Sequence, residues 1–238
     1  MKVAVMQPYF LPYIGYWQLL SEVDHFVLYD DVNFIKKGYV NRNNLLINGM
    51  IKSFTIPLIK ASQNRLISEI EVDSNQKWRQ KLLKMILLSY KKAPYFGEIY
   101  ELLEEVINSE YNLISEIIVL SIQKVSSYLM IDVEISVSSQ EQVGIGLKGQ
   151  RRILEICKSK KGTHYINPIG GIEIYDNAFF QEEGIELSFI STSSKIKYKQ
   201  LGKGEEFINN LSIIDVLMNN SREEVIDLLK QFTLTTKS

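Results

Sequence analysis

Apolar positions along this chain form short runs at its two ends and helical stripes in the middle. Val3-Ala4-Val5-Met6 is a continuous apolar run, as in a strand covered on both faces, and Gln7-Pro8 ends it at once. Pro12 and Gly15 punctuate the turn that follows, and an apolar helix opens near Gly15. A second strand, His25-Phe26-Val27-Leu28-Tyr29, runs into the acidic pair Asp30-Asp31. The pattern predicts a parallel strand pair joined by a helix. α/β folds of this kind open their sites at the carboxyl ends of strands.

Residues 32–44 are rich in polar tips and read as a loop or ragged strand. Asn48-Gly49 suits a type I′ hairpin turn, with a strand over 51–57 after it and a short strand expected over 70–72. Asp73-Ser74 is the expected cap of a helix whose Trp78, Leu82, Met85 and Ile86 share one face, closed by Ala93-Pro94. Two further helices are expected over 96–107 and 111–129. Strand returns over 131–137, and the polar, glycine-bearing stretch 138–149 reads as a linker or mobile loop. A helix over 150–160, a strand over 163–167, a glycine turn over 168–171 and a strand over 185–190 come next, with helices over 211–218 and 222–231. The fold class expected is α/β: a Rossmann-like strand-turn-helix-strand unit at the N-terminus, with a helical insertion around 73–130, in one domain spanning 1–238.

Composition narrows the function classes. The 238 residues are 45% hydrophobic and 23% charged with a net charge of −1, so no strong nucleic-acid or membrane-surface signal arises. No apolar run approaches the length of a membrane span, and the first residues are too short and polar for a signal peptide. One cysteine forms no internal disulfide, which fits a reducing cytoplasm. With only His25, His164 and Cys157 available, a nitrogen/sulfur zinc site is not expected, and no metal ligand is assigned. Both histidines read as structural and Cys157 as core.

Candidate chemistry gathers near the N-terminus. Gln7, Tyr13 and Gly15 line the first turn, where a glycine and a helix N-terminus would let backbone approach a phosphate. The same place in adenylate-forming nucleotidylyl transferases holds His-x-Gly-His. That analogy stops at the fold, because tyrosines titrate near 10 and make no imidazolium. Asp30 and Asp31, expected to be unpaired at their strand end, could accept a proton, hold an amine or bind Mg²⁺. Lys36, Lys37 and Arg42 could neutralise phosphate, with Lys37 counted among the catalytic candidates. Tyr39, Asn41 and Asn43 join Tyr9, Arg151, Tyr165, Gly170 and Gly171 as substrate-binding candidates. Gln7, Tyr13, Asp30, Asp31, Lys36, Arg42 and Gly170 are expected to converge on one cleft.

The run from Met6-Gln7-Pro8-Tyr9-Phe10-Leu11-Pro12-Tyr13-Ile14-Gly15-Tyr16 through Trp17-Gln18-Leu19 resembles the signature of the WbqC-like family. So do Asp30-Asp31-Val32, Lys37-Gly38-Tyr39 with Asn41-Arg42-Asn43, Ala93-Pro94-Tyr95-Phe96, Tyr165 through Gly171, and Leu211 through Met218. The resemblance covers essentially the whole chain. It implies a place in surface-polysaccharide or O-antigen biosynthesis and modification of a sugar, one suggestion being aminoacylation such as glycylation of a nucleotide-linked amino sugar. It brings no established catalytic residues. Two readings follow. One is an amide-forming acyl or aminoacyl transferase or ATP-dependent ligase acting on a nucleotide-linked amino sugar, with ATP, Mg²⁺ and a carrier- or tRNA-bound acyl donor left open. The other is a non-catalytic module that binds a nucleotide sugar or polysaccharide precursor.

Overall fold

The computed structural model describes residues 1–201 and 206–237. Its elements run β1 Lys2–Met6, α1 Ile14–Glu22, β2 His25–Leu28, β3 Arg42–Ile47 and β4 Met50–Thr55. The helices α2 Lys77–Tyr90, α3 Phe96–Ile107 and α4 Ile114–Tyr128 follow. Then come β5 Glu134–Val137, α5 Ser138–Glu141, α6 Gln150–Ser159, β6 His164–Pro168, α7 Asn177–Gln181 and β7 Glu186–Thr192. The chain closes with α8 Ile213–Asn219, α9 Arg222–Leu229 and β8 Phe232–Thr235.

Six strands form the main sheet in the order β5-β2-β1-β6-β7-β8, and β3 and β4 make a separate antiparallel hairpin. β1 and β2 pair in parallel as expected, Val3 opposite His25 and Met6 opposite Leu28. β2–β5, β1–β6 and β6–β7 are also parallel, whereas β8 returns antiparallel on β7. The fold is therefore α/β with a mostly parallel sheet. The strand order grows outward from β1 in both directions, so the strand ends of β1 and β6 flank a topological switch point.

The alternation of β1 explains its two covers. Val3 and Val5 face Ile153, Ile156, Cys157 and Phe180 on the α6–α7 side, while Ala4 faces the core built with α1 and the mid-chain helices. α1 is buried on nearly every side, which is why its stripe is not amphipathic. Its buried Gln18 is fully matched: it donates to the carbonyls of Leu228 (3.0 Å) and Gln231 (3.1 Å) and accepts from Thr192 Oγ1 (2.7 Å). α2, α3 and α4 pack as one block against this core.

Some local expectations need correction. Residues 70–72 make only isolated bridges, Leu58 with Val72 and Glu71 with Leu113, because irregular segments flank them. Asp73 accepts from the amide of Asn75 (2.9 Å) in an Asx turn, and the helix begins later, at Lys77. The linker 138–149 begins with α5. The Asn48-Gly49 turn carries φ of 52° and 79°, as a type I′ turn requires.

Candidate functional site

β1, β2 and β6 all end at the same edge of the sheet, and the open mouth there is a cleft of about 800 Å³. Gln7 and Tyr9 enter it from the end of β1, Tyr29 and Asp31 from the end of β2, and Asn167, Gly170 and Gly171 from the end of β6. The segment Gly146-Leu147-Lys148-Gly149-Gln150 and the side chain of Arg152 close the remaining wall. Gly149 sits at φ 56° and ψ −143°, a conformation open to glycine alone, and this aims the first turn of α6 at the cleft.

The two carboxylates after β2 part company. Asp30 turns away from the cleft and is buried. Its Oδ1 accepts from the Ser139 amide (3.0 Å) and its Oδ2 from Ser139 Oγ (2.8 Å). Burial raises the Asp30 carboxyl above its ordinary value, with the Ser139 and Ser138 hydrogen bonds pulling the other way. Asp31 faces the cleft, yet it is not the unpaired carboxylate expected there. Its Oδ2 forms an ion pair with Arg152 Nη2, and its Oδ1 accepts from Ser138 Oγ. The Arg152 guanidinium also lies 5.0 Å from the centre of the Tyr29 ring.

The β6 wall is held from behind. Tyr165 is fully buried, donates to Asn167 Oδ1 (3.0 Å) and lies 3.2 Å from the Tyr175 hydroxyl. Asn167 Nδ2 donates to the Pro168 carbonyl (3.0 Å). Gly171 leaves room for that amide, since a Cβ there would stand 2.0 Å from Asn167 Nδ2.

A second, smaller recess of about 270 Å³ adjoins the cleft, with Tyr9 as the shared wall. Pro12, Tyr13, Tyr39, Asn43 and Asn210 complete it. Thus Gln7, Tyr9, Asp31, Gly170 and Gly171 meet in the cleft, and Tyr13, Tyr39 and Asn43 meet Tyr9 in the recess. The expected convergence of Asp30, Lys36 and Arg42 on the same cleft does not occur. Lys36 and Lys37 are exposed on the loop before Tyr39, and Arg151 is exposed on α6. Arg42 bonds the carbonyls of Gly38 (2.9 Å) and Lys37. Asn41 Nδ2 donates to the Ile56 carbonyl (2.8 Å), and Gly15 is buried in α1.

Lys148 and Tyr29, which the sequence did not single out, belong to the cleft, as do Arg152, Asn167 and Tyr175, whose neighbours Arg151, Tyr165 and Gly170 were the named candidates. A signal for Arg152 was present: it lies one helical turn before Ile156 and so shares the buried face, whereas Arg151 lies one turn before the half-buried Glu155. Both histidines stand at the opposite, amino-terminal edge of the sheet. His25 Nδ1 is 3.5 Å from Glu134, and His164 Nε2 is 2.8 Å from Ser188 Oγ. Cys157 is buried, which pushes its thiol up to about 12.

The family model for the WbqC-like protein family matches residues 7–227, nearly the whole chain. The chain belongs to this family. The matched span takes in the cleft residues named above and the tyrosine recess. A relative of the WbqC-like chain is the uncharacterized protein Rv1507c of Mycobacterium tuberculosis. It is 26% identical over 224 residues, covering 93% of this chain and 95% of the relative. No solved structure matches. No helix among the described residues is long and apolar enough to cross a membrane.

Proposed function

We propose that this WbqC-like protein transfers an acyl group, glycyl among those it would accommodate, to the amine of a nucleotide-linked amino sugar used for surface polysaccharide of the O-antigen kind. The observation that carries the reading is Asp31 at the switch-point cleft, oriented by Arg152 and Ser138 opposite the glycine-built start of α6. Each carboxylate oxygen of Asp31 uses one lone pair on these partners and keeps another for an incoming N–H. In the proposed reaction the sugar nitrogen attacks the carbonyl carbon of an activated acyl donor. A C–N bond forms, the bond from the acyl carbon to the donor's oxygen or sulfur breaks, and the leaving group departs with the electron pair. Asp31 takes the proton the nitrogen sheds. The diphosphate would lie against the α6 N-terminus and Lys148. Lys36 and Lys37 would screen a charged donor arriving over the neighbouring loop. If ATP and Mg²⁺ activate the acyl group on this protein, that cationic loop is where the nucleotide phosphates would approach.

A second reading, a module that binds the nucleotide sugar without chemistry, draws support from the ion pair already made by Asp31 and from the distance of both histidines. Thermal-shift titration with uridine diphosphate glucosamine, followed by mass measurement of the sugar after incubation with glycine and ATP, a glycyl thioester or glycyl-tRNA, separates the two. Stabilisation together with a mass gain of one acyl group on the free-amine sugar, and none on its N-acetylated form, is expected. Stabilisation without any mass gain would favour the binding module, and no stabilisation by any nucleotide sugar would sink both.

A further inference from the structure

The tyrosine recess is built at some conformational cost. Tyr39 is 49% and Tyr13 36% exposed, so neither ring is there simply to fill the core. Yet the two loops that carry these rings are clamped. Between Tyr9 and Tyr13, Leu11 sits at φ 46°. The carbonyls around it are held by Asn43 Nδ2 (3.3 Å to Phe10, 2.7 Å to Leu11), by Ser212 Oγ (2.7 Å to Leu11) and by the Trp17 indole (3.1 Å to Pro12). Ahead of Tyr39, Lys37 sits at φ 64° while Arg42 holds the Lys37 and Gly38 carbonyls. Gly15 leaves the space that the Tyr13 ring occupies, since a Cβ there would lie 2.5 Å from Tyr13 Cε2. Left-handed backbone at a leucine and a lysine is uncommon and unfavourable, and such strain clusters at ligand sites. Gly15, Arg42 and Asn43 therefore act as positioning residues for exposed aromatic rings.

Among the described residues no charged side chain lines the recess, which suits a neutral ring with a polar edge. The Tyr9 and Tyr39 centroids are 6.0 Å apart with planes tilted by 57°, too close for a ring to enter between them, so the occupant lies against the faces that open on the recess. In the proposed reaction the sugar amine must reach Asp31 and the diphosphate the start of α6, and both lie in the main cleft. The end of the substrate left over is the nucleoside, and the wall common to both cavities is Tyr9. We infer that the recess of Tyr9, Tyr13 and Tyr39 takes the nucleobase of the nucleotide-linked substrate by stacking. This rests on reading the main cleft as a nucleotide-sugar site, but it does not depend on acyl transfer.

Calorimetric titration of the full chain with uridine diphosphate, adenosine diphosphate, guanosine diphosphate and thymidine diphosphate, and with the base-free probes pyrophosphate and glucosamine 1-phosphate, tests it. Tyr39→Ala should weaken the best nucleotide about tenfold, as loss of one base–aromatic stack does, and Tyr39→Phe should restore it. The base-free probes should bind both variants as they bind the wild type. Tyr13→Leu supplies the same reading should Tyr39→Ala not fold. The inference is overturned if no nucleoside diphosphate binds, if the tyrosine variants bind nucleotides unchanged, or if glucosamine 1-phosphate weakens equally, which would make the recess a sugar subsite. Tyrosine-dependent nucleotide binding with no acylation of any amino sugar would leave the inference standing and remove the transfer chemistry.

Discussion

The two edges of the main sheet carry charge in opposite ways. At the amino edge Lys2 pairs with Glu22, and His25 and His164 face Glu134 and Glu186, whose side chains are 66% and 61% exposed. At the carboxyl edge Asp31 and Arg152 pair with side chains only 16% and 9% exposed, bracketed by Ser138, a tyrosine ring and glycine turns. Exposed pairs contribute little, about 0–1 kcal/mol, because water screens them. Shielded pairs contribute little net stability as a pair, yet losing one partner strands a charge. An edge that retains the second kind of pair beside an open cleft is organised for something other than stability.

The largest expected effect follows from stranding that charge. Arg152→Ala should destabilise the fold by about 2–3 kcal/mol in chemical denaturation, since it leaves the largely shielded Asp31 carboxylate with its Ser138 hydrogen bond but without its guanidinium partner. The double variant Asp31→Asn/Arg152→Met should recover much of the loss. If Arg152→Ala costs no more than an exposed pair does, the two edges are energetically alike. Next, Gly171→Ala should cost about 1–3 kcal/mol because its Cβ must displace the Asn167 amide, and it should weaken ligand binding in the same cleft.

A pH effect comes third. The folded-state pKa of Asp30 lies above its ordinary 3.8, chiefly through burial, so the folded chain holds a proton that the unfolded chain releases. That contribution is complete below the ordinary carboxylate range and is lost as pH rises through the raised value. Unfolding free energy measured across this window should fall less steeply in Asp30→Asn than in the wild type. An identical slope in the two proteins would count against the buried-acid description. Smallest is the amino edge, where Glu134→Gln should change stability by no more than about 0.5 kcal/mol.

Much of this frame was legible in the sequence, for reasons that also mark where legibility ended. β1, α1 and β2 announce themselves because unbroken apolar runs are cut by proline and glycine, and the mid-chain helices because their apolar stripes repeat over three turns or more. β8, whose Phe232-Thr233-Leu234-Thr235 alternates apolar and hydroxyl side chains and stays mostly exposed, holds no apolar run, and the five-residue α7 is too short for a stripe. The acidic pair was visible as chemistry, but its division was not. Asp30 and Asp31 are divided by their partners, Ser138, Ser139 and Arg152, which come from more than 100 positions further along the chain. For the same reason the sequence put Arg151 among the candidates, although Arg152 is the one that faces inward. Arg42 and Asn43 read as ligand donors because such side chains suit phosphates, whereas here they satisfy the backbone carbonyls that carry Tyr39 and flank Tyr13.

The most direct measurement is amide hydrogen exchange of the full chain with and without saturating uridine diphosphate glucosamine. Protection should appear at 144–150, at 168–175 and around Tyr9 and Tyr39, with His25, His164 and the rest of the amino edge unchanged. Protection confined to the amino edge, or none at the carboxyl edge under conditions where the sugar nucleotide binds, would contradict a ligand site at the switch point of this sheet.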